Sequence, residues 1–166
     1  MGRRPKPSTG SPRVLRGCPL SELSADSEAD MGEAMGEGMT DGTDENKANA
    51  IAFYELMFNR NQPRAAIDRY AGAEYRQHNP GVGDGQEAFI EYFERLGAEY
   101  PCKYVEVKRA IAENDLVVLH CFQHWPNDHD YAGMDIFRFD SDGKIVEHWD
   151  VLQVVPDDAA NANGMF

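Results

Sequence analysis

Three ionisable side chains, Asp135, His148 and Asp150, lie within two adjoining apolar segments near the end of the sequence. The turn-forming residues Asp-Ser-Asp-Gly at 140–143 separate the two segments, which is typical of a β-hairpin. Aspartate is a poor strand former, and an ionised carboxylate is costly to bury unless it is paired or hydrogen-bonded. The presence of two carboxylates in one apolar hairpin therefore indicates a functional site.

The chemistry that these residue types favour is general acid/base catalysis. His148 and Asp150 are two residues apart on one predicted strand, so both side chains face the same side of the sheet. Burial in an apolar cavity raises the pKa of a carboxyl group, which suits a base that removes a proton next to a carbonyl group. We interpret Asp150 as that base, and His148 as the group that orients it or donates a hydrogen bond to the developing enolate oxygen.

Asp135 is the second candidate carboxylate and lies on the preceding predicted strand. It could lie across the hairpin from the charged residues of the last strand, and two such carboxylates could divide the acid and base roles if their environments separate the two pKa values. A structural interpretation stays open for each residue. In that case Asp150 bonds to a backbone amide or to Arg138, Asp135 pairs with Arg138 or His148, and His148 is a packed neighbour.

The predicted substrate pocket is lined mainly by aromatic and imidazole groups. His78 ends an extended segment before Asn79 and Pro80, where side chains often point toward a pocket. A histidine that only caps this loop would show the same pattern. The remaining residues that we expect to contact the substrate are Tyr54, Phe93, His120, Phe122 and Phe137.

The histidine pattern does not predict a metal centre by itself. His120 and His124 face one side of a predicted strand, but at about 3.3 Å per residue they lie roughly 13 Å apart. One alternative remains, a site assembled with His148 or Asp135 from neighbouring strands. The sequence has no Gly-rich phosphate loop, nucleophile elbow or Cys/His arrangement. We therefore expect no metal and no cofactor.

Three segments carry apolar residues at helical spacing and open the folded part of the chain. Pro63 suits the first turn of the second helix, and Asp84 is a capping signal for the third. A short extended segment, residues 73–78, lies between these two helices. The predicted helices span residues 45–58, 63–72 and 84–97.

After Pro101 the apolar period changes to about two residues, which is typical of strands. Short connections between the strands favour an antiparallel meander, because a parallel pair needs a long crossover. Helices followed by strands indicate the α+β class, with three N-terminal helices covering one face of a curved antiparallel sheet. The four predicted strands span residues 104–111, 116–125, 131–139 and 145–155.

Both faces of the predicted strand at residues 116–125 are apolar. Leu116, Val118 and Phe122 alternate with Val117 and Leu119. Since three helices cover only one face of the sheet well, a second copy of the chain is the expected cover for the other. The pattern predicts a homodimer through the sheet.

Residues 1–44 differ in composition from the rest of the 166-residue chain. Five basic residues occur before position 17, and the following stretch is acidic and rich in Gly, Ser and Ala. Such a composition cannot bury enough apolar surface to offset the entropy of ordering. We predict a disordered N-terminal tail at 1–44, either a targeting or regulatory arm or an upstream extension, and one domain at 45–166.

Charge and cysteine content limit the partners and the compartment. The formal net charge is -13 and the sequence pI is about 4.7, which argues against binding to nucleic acid or to an anionic membrane surface. The three cysteines, odd in number and widely spaced, fit a reduced setting. No apolar run is long enough to span a membrane. We expect a soluble, cytoplasmic protein whose partner is a small hydrophobic molecule.

Three stretches, together with the order of elements, carry a family resemblance. They are Tyr-Arg-Gln-His-Asn-Pro at 75–80, Asp-Ile-Phe-Arg-Phe at 135–139 and Gly-Lys-Ile-Val-Glu-His-Trp-Asp at 143–150. The sequence at about 45–166 resembles the SnoaL-like proteins of the nuclear-transport-factor-2-like superfamily, which have a cone-shaped α+β fold. It is most similar to bacterial proteins described as predicted SnoaL-like aldol-condensation-catalysing enzymes.

The resemblance implies a function without metal or cofactor. In SnoaL-type polyketide cyclases an aspartate on a late strand acts as general acid/base in an intramolecular aldol ring closure, and its position is similar to that of Asp150. A second pocket residue is similarly placed near Asp135. The expected function is therefore acid/base catalysis on a small apolar carbonyl compound, by aldol condensation, cyclisation or isomerisation. The same fold also carries lyases, hydrolases and non-catalytic dimeric modules that bind small hydrophobic ligands, so these remain the alternatives.

Overall fold

The computed structural model describes residues 42–166, so most of the predicted tail lies outside the described residues. Helix α1 (Gly42–Tyr54) continues into a π-helical turn at Glu55–Asn59, followed by α2 (Pro63–Tyr70) and α3 (Gln86–Glu99). The three predicted helices are confirmed, although α1 begins at Gly42, so residues 42–44 belong to a helix and not to the tail. None of these helices is long and apolar enough to cross a membrane.

The strands form one curved sheet of five strands. Its order is β1-β5-β4-β3-β2, and all neighbouring pairs except β1 and β5 are antiparallel. The α+β class with helices covering a curved sheet is therefore confirmed. The strands are β1 (Ala71–Gln77), β2 (Tyr104–Glu113), β3 (Leu116–His124), β4 (Tyr131–Phe139) and β5 (Ile145–Val154).

The prediction of a four-stranded meander is wrong for β1. This segment, predicted only as a short extended piece, pairs in parallel with β5, with Arg76 opposite Glu147 and Gln77 opposite His148. The crossover between them contains α3 and three strands, so nothing in the local sequence period reveals the pairing. The glycine at position 72 fits this pairing, because a Cβ atom there would lie 2.9 Å from the Val146 side chain.

The helices and one face of the sheet enclose an aromatic core. The buried ring of Phe53 on α1 lies 5.7 Å from Phe89 on α3 and 5.9 Å from Phe137 on β4, measured between ring centroids. These contacts define the helix-facing side of the sheet. Along β3 the buried residues on this side are Val117, Leu119, Cys121 and Gln123.

The opposite side of the sheet, called the outer face below, retains exposed apolar residues. Ile111 is 60% exposed and Val151 is 68% exposed. The C-terminal Phe166 covers part of this face, with its ring centroid 5.4 Å from those of His120 and Phe122. Within residues 42–166, helices cover only one face of the sheet.

The cysteines of the described residues differ in state. Cys121 is a buried free thiol, and burial, together with the nearby Asp135 carboxylate, raises its pKa. Cys102 is disulfide-bonded.

Candidate active site

The sheet register brings Asp135, His148 and Asp150 together on the helix-facing side. Asp135 on β4 lies directly opposite Asp150 on β5, and Phe137 lies opposite His148. The imidazole of His148 packs on the Phe137 ring, with centroids 4.8 Å apart. Trp149 therefore faces the outer side, as the alternation along β5 predicted. One potential ligand atom from each of the three ionisable residues lies within 4.8 Å of the other two.

Asp135 is the buried centre of this cluster, with no exposed surface. The hydroxyl group of Tyr54 on α1 donates a hydrogen bond to its Oδ1 atom. Nε2 of His148 lies 3.6 Å from the same oxygen. No atom of residues 42–166 donates a hydrogen bond to the Oδ2 atom of Asp135, so this carboxylate uses only part of its accepting capacity.

Gln77 fixes the orientation and the tautomer of His148. The Oε1 atom of Gln77 accepts a hydrogen bond from the backbone N–H of Asn79 at 2.9 Å, and its Nε2 donates to the hydroxyl of Tyr75 at 3.4 Å. Since Gln77 Oε1 is an acceptor, the Nδ1 atom of His148 at 3.0 Å must carry the proton and donate. In the neutral ring, Nε2 then presents a lone pair toward Asp135.

Asp150 is the partly exposed member of the cluster. The side-chain amide of Asn79, in the loop after β1, donates a hydrogen bond of 2.6 Å to its Oδ2 atom. Asn79 is itself half-buried. The alternative contact with Arg138 does not occur, because Arg138 is on the outer face and binds Glu147.

The groups around Asp135 are neutral proton donors. Burial is the main cause that raises the pKa of Tyr54 well above its usual value, and the negative charge of Asp135 adds to the shift. Burial is also the main cause that raises the pKa values of Tyr75 and Cys121, followed by the charge of Asp150 for Tyr75 and of Asp135 for Cys121. At neutral pH these hydroxyl and thiol groups therefore keep their protons, so Asp135, His148 and Asp150 supply the ionisable chemistry that the described residues bring to this site.

Three predicted substrate-binding residues do not lie in this site. His78 is exposed on the outer face, where Nε2 lies 2.8 Å from Glu147 and the ring stacks on Trp149. His120 and Phe122 also lie on the outer face, beside Phe166. The physical reason is strand alternation, which places residues one position away from a helix-facing neighbour on the opposite side of the sheet.

The outer-face position of His120 and His124 also excludes the alternative metal site in which one of them joins His148 or Asp135. His120 bonds to the Arg109 guanidinium, and His124 bonds to the Asp130 carboxylate. Both therefore have partners on the other side of the sheet.

The other three predicted substrate-binding residues lie on the helix-facing side. Tyr54 and Phe137 contact the cluster directly, through the Tyr54 hydroxyl and the ring of Phe137 against His148. Phe93 is half-buried on α3 and contacts Phe89 at 4.5 Å, so it is connected to the cluster through the aromatic core.

Gln77 and Asn79 are site residues that sequence reasoning missed. They flank His78, the residue chosen from the same stretch, and the period of two places Tyr75, Gln77 and Asn79 on one side of the chain. Their role depends on the pairing of β1 with β5, which places Gln77 opposite His148. If the β1–β5 pairing had been known, it would have pointed to Gln77 and Asn79 as site residues and not to His78.

Residues 50–148, more than half of the chain, match the model of the SnoaL-like domain. The chain belongs to the SnoaL-like family. Asp150 lies two positions beyond the matched segment, on the strand that also carries His148. Comparison with curated protein sequences gives no significant match.

Several solved structures share this fold. TsrD from Streptomyces laurentii is 19% identical, with a TM-score of 0.56, over 65% of this chain and 88% of TsrD. A candidate polyketide cyclase from Bacillus cereus is 20% identical, with a TM-score of 0.57, over 65% and 74%. A candidate isomerase of the SnoaL-like family from Agrobacterium tumefaciens is 14% identical, with a TM-score of 0.54, over 68% and 97%. At these identities the similarity shows the shared fold.

Proposed function

We propose that this SnoaL-like protein is an enzyme that transfers protons on a small apolar carbonyl compound, in an aldol condensation, cyclisation or isomerisation. The observation that carries the proposal is the partly exposed Asp150 beside the buried pair of His148 and Asp135. The names of the neighbours, which include candidate cyclases and an isomerase, support the same reaction class.

The base in this proposal is Asp150. Its carboxylate lies at the edge of an aromatic core, where a substrate carbon next to a carbonyl group can approach it. The amide of Asn79 holds the Asp150 side chain at 2.6 Å and so reduces the rotamer freedom lost when the substrate binds. Removal of the α-proton by Asp150 produces an enolate.

The partner acid in this proposal is His148. Its Nδ1 is committed to Gln77, so Nε2 is the atom that faces the cluster. In the doubly protonated imidazolium, Nε2 carries the proton that it delivers, or donates as a hydrogen bond, to the enolate oxygen. The Asp135 carboxylate at 3.6 Å balances a positive charge on the imidazole. Tyr54 in turn holds Asp135 in place. Asp135 is therefore a positioning residue for His148 in this mechanism.

The shape of the surroundings limits the substrate class. Phe137 contacts the ring of His148, and Phe93 and Tyr92 are half-buried on α3 with ring centroids 5.1 Å apart. Because the groups near His148 are aromatic, the proposed substrate is an apolar compound that offers one carbonyl oxygen to His148 and one acidic C–H bond to Asp150.

The proposal is tested by exchange of α-protons for deuterium in D2O, followed by proton NMR on a panel of small ketones, aldehydes and 1,3-dicarbonyl compounds. The wild type should accelerate the exchange of at least one compound above the buffer rate. Asp150→Asn removes the base while it keeps the side-chain volume, and should lower the enzymatic rate by about 10²- to 10⁴-fold.

The matched control is Asp68→Asn, because Asp68 is exposed on α2. This variant should exchange at the wild-type rate. Equal rates for Asp150→Asn and the wild type would remove Asp150 from the mechanism. A panel in which no compound exchanges faster than in buffer, while small apolar ligands still bind, would instead favour a non-catalytic binding module.

A further inference from the structure

We infer that Asp135, His148 and Asp150 also form a binding site for a divalent transition-metal ion such as Zn²⁺. One ligand atom from each residue lies within 4.8 Å of the other two. Zn²⁺ holds nitrogen and oxygen ligands at about 2.0–2.2 Å, so ligand atoms around it are up to about 4 Å apart. Small rotations of the three side chains are enough to reach such a geometry.

Two atoms of the cluster lack the partner that burial demands. Asp135 Oδ2 and His148 Nε2 are both buried, and neither has a hydrogen-bond partner among residues 42–166. A buried polar atom without a partner costs free energy, and native proteins rarely leave one unsatisfied. In the neutral tautomer that Gln77 selects, both atoms present lone pairs. The group that completes the site must therefore be a donor or a cation.

The charge of the cluster favours a cation. In the described part of the chain, Asp135 has no Lys or Arg partner, and its single ion-pair contact is His148. A water molecule would satisfy hydrogen bonds but would leave the buried negative charge uncompensated. A divalent ion both accepts the lone pairs and neutralises carboxylate charge.

Each of the three side chains also makes a hydrogen bond that orients it, as the ligands in metal sites do. Tyr54 donates to Asp135, and Asn79 donates to Asp150 at 2.6 Å. The N–H of His148 Nδ1 donates to the Gln77 carbonyl at 3.0 Å, which leaves Nε2 as the coordinating atom. These contacts orient the set before an ion arrives.

The donor set points to the kind of ion. One imidazole nitrogen and two carboxylate oxygens suit Zn²⁺ and its neighbours in the first transition series. Mg²⁺ and Ca²⁺ prefer sites made of oxygen ligands alone. Zn²⁺ should therefore bind at concentrations at which Mg²⁺ and Ca²⁺ do not.

The metal site does not depend on the proposed function. The bound ion would occupy the lone pairs that proton transfer uses, so Zn²⁺ should inhibit the exchange reaction. Protein that fails to bind Zn²⁺ would leave the exchange result intact. Protein that binds Zn²⁺ but exchanges no protons would leave the metal site intact.

The experiment is calorimetric titration of the full chain with Zn²⁺, after treatment with a chelator and removal of it. The wild type should bind Zn²⁺ at this site, and Asp135→Asn and His148→Ala should each lower the affinity about tenfold or more. The matched control is His124→Ala, since His124 and Asp130 form another imidazole–carboxylate pair, 2.7 Å apart, on the outer face. This control should keep the wild-type affinity.

A second measurement does not rely on the variants folding. In a nitrogen-15 NMR spectrum that resolves the imidazole nitrogens, Zn²⁺ should shift Nε2 of His148 and leave Nδ1 protonated. Absence of Zn²⁺ binding, equal binding by the wild type and His148→Ala, or a shift confined to another histidine would each overturn the inference.

Discussion

At the residue scale, Asp135 depends on the Tyr54 hydroxyl. This hydroxyl donates a hydrogen bond to the buried carboxylate, and the pKa of Tyr54 is raised by burial and by Asp135, so the phenol keeps its proton. The Tyr54 ring also contacts Phe137, with centroids 5.5 Å apart. The hydroxyl and the ring therefore have separable roles.

Tyr54→Phe tests the hydroxyl alone. The ring should stay in the core, while Asp135 loses its donor, so the free energy of unfolding should fall by about 1–3 kcal/mol. Urea denaturation at pH 7 measures the change. Tyr131→Phe is the comparison, because that hydroxyl makes a longer, 3.4 Å bond to Asp128 in a half-buried site and its loss should cost less. Equal losses in the two variants would contradict the special role of Tyr54.

The residue scale also shows what the sequence could and could not predict about the site. Asp135, His148 and Asp150 were identified because charged groups within an apolar hairpin are visible in local sequence, and their common face follows from alternation. His78 was chosen over Gln77 and Asn79 because imidazole is the more obvious catalytic group. The pairing partner of β1 decides between them, and that partner is about 70 positions away, as the separation of 71 between Gln77 and His148 shows.

At the scale of elements, β5 carries two sets of contacts on alternate residues. His148 and Asp150 face the helices, while Glu147 and Trp149 face outward. Glu147 is only 6% exposed, and it accepts from Arg138 at 2.8 Å and contacts His78 at 2.8 Å. These contacts hold β5 between β4 and the end of β1.

Glu147→Gln should weaken this attachment. The hydrogen bond with His78, followed by Arg138 and Arg76, lowers the pKa of Glu147 from its ordinary value near 4.5. At pH 7 the variant should lose about 1–3 kcal/mol of unfolding free energy. A carboxyl with a lowered pKa contributes stability above about pH 4.5 and loses it as the pH falls through the folded-state pKa. The gap between wild type and variant should therefore narrow below pH 4.5.

Urea midpoints between pH 7 and pH 3 measure this dependence. Glu106→Gln is the matched control, because Glu106 forms an exposed pair with Lys108 and its loss should cost at most about 1 kcal/mol. A gap for Glu147→Gln that stays constant down to pH 3 would show that its ionised form contributes no stability.

Some elements of this fold can be predicted from local sequence, and others cannot. The helices and the three antiparallel pairs follow from patterns within short segments, through apolar spacing and turn residues. The start of α1 at Gly42 was missed because the preceding composition suggested disorder. The parallel β1–β5 pair was missed because residues from distant parts of the chain form it.

At the scale of the whole molecule, the outer face is the surface whose apolar character the proposed function does not explain. Apolar residues remain exposed there, among them Ile111, Leu116, Met134 and Val151. Since monomers seldom expose large apolar patches, we propose that two copies of the chain pair through this face. The proposed dimer is consistent with the apolar alternation on both sides of β3.

Ile111→Lys should disrupt such a dimer, because it places a charge in the apolar patch. Light scattering after size-exclusion chromatography should give twice the 18.6 kDa chain mass for the wild type and a shift toward the single-chain mass for the variant. Ile51→Lys is the matched control, since Ile51 is 40% exposed on α1 and away from the sheet. A wild type with the single-chain mass at all concentrations would disprove the dimer.

The position of β5 in the strand order affects how the chain can fold. This last strand is inserted between β1 and β4, so a chain that ends before Ile145 leaves two strand edges unpaired. Contacts between such distant segments form late and slowly. During synthesis, the helices and the first four strands cannot form the complete sheet until the final strand is available, and that strand also carries His148 and Asp150. Nascent chains and C-terminal truncations should therefore be prone to edge-to-edge aggregation, and activity should arise only with the complete sheet.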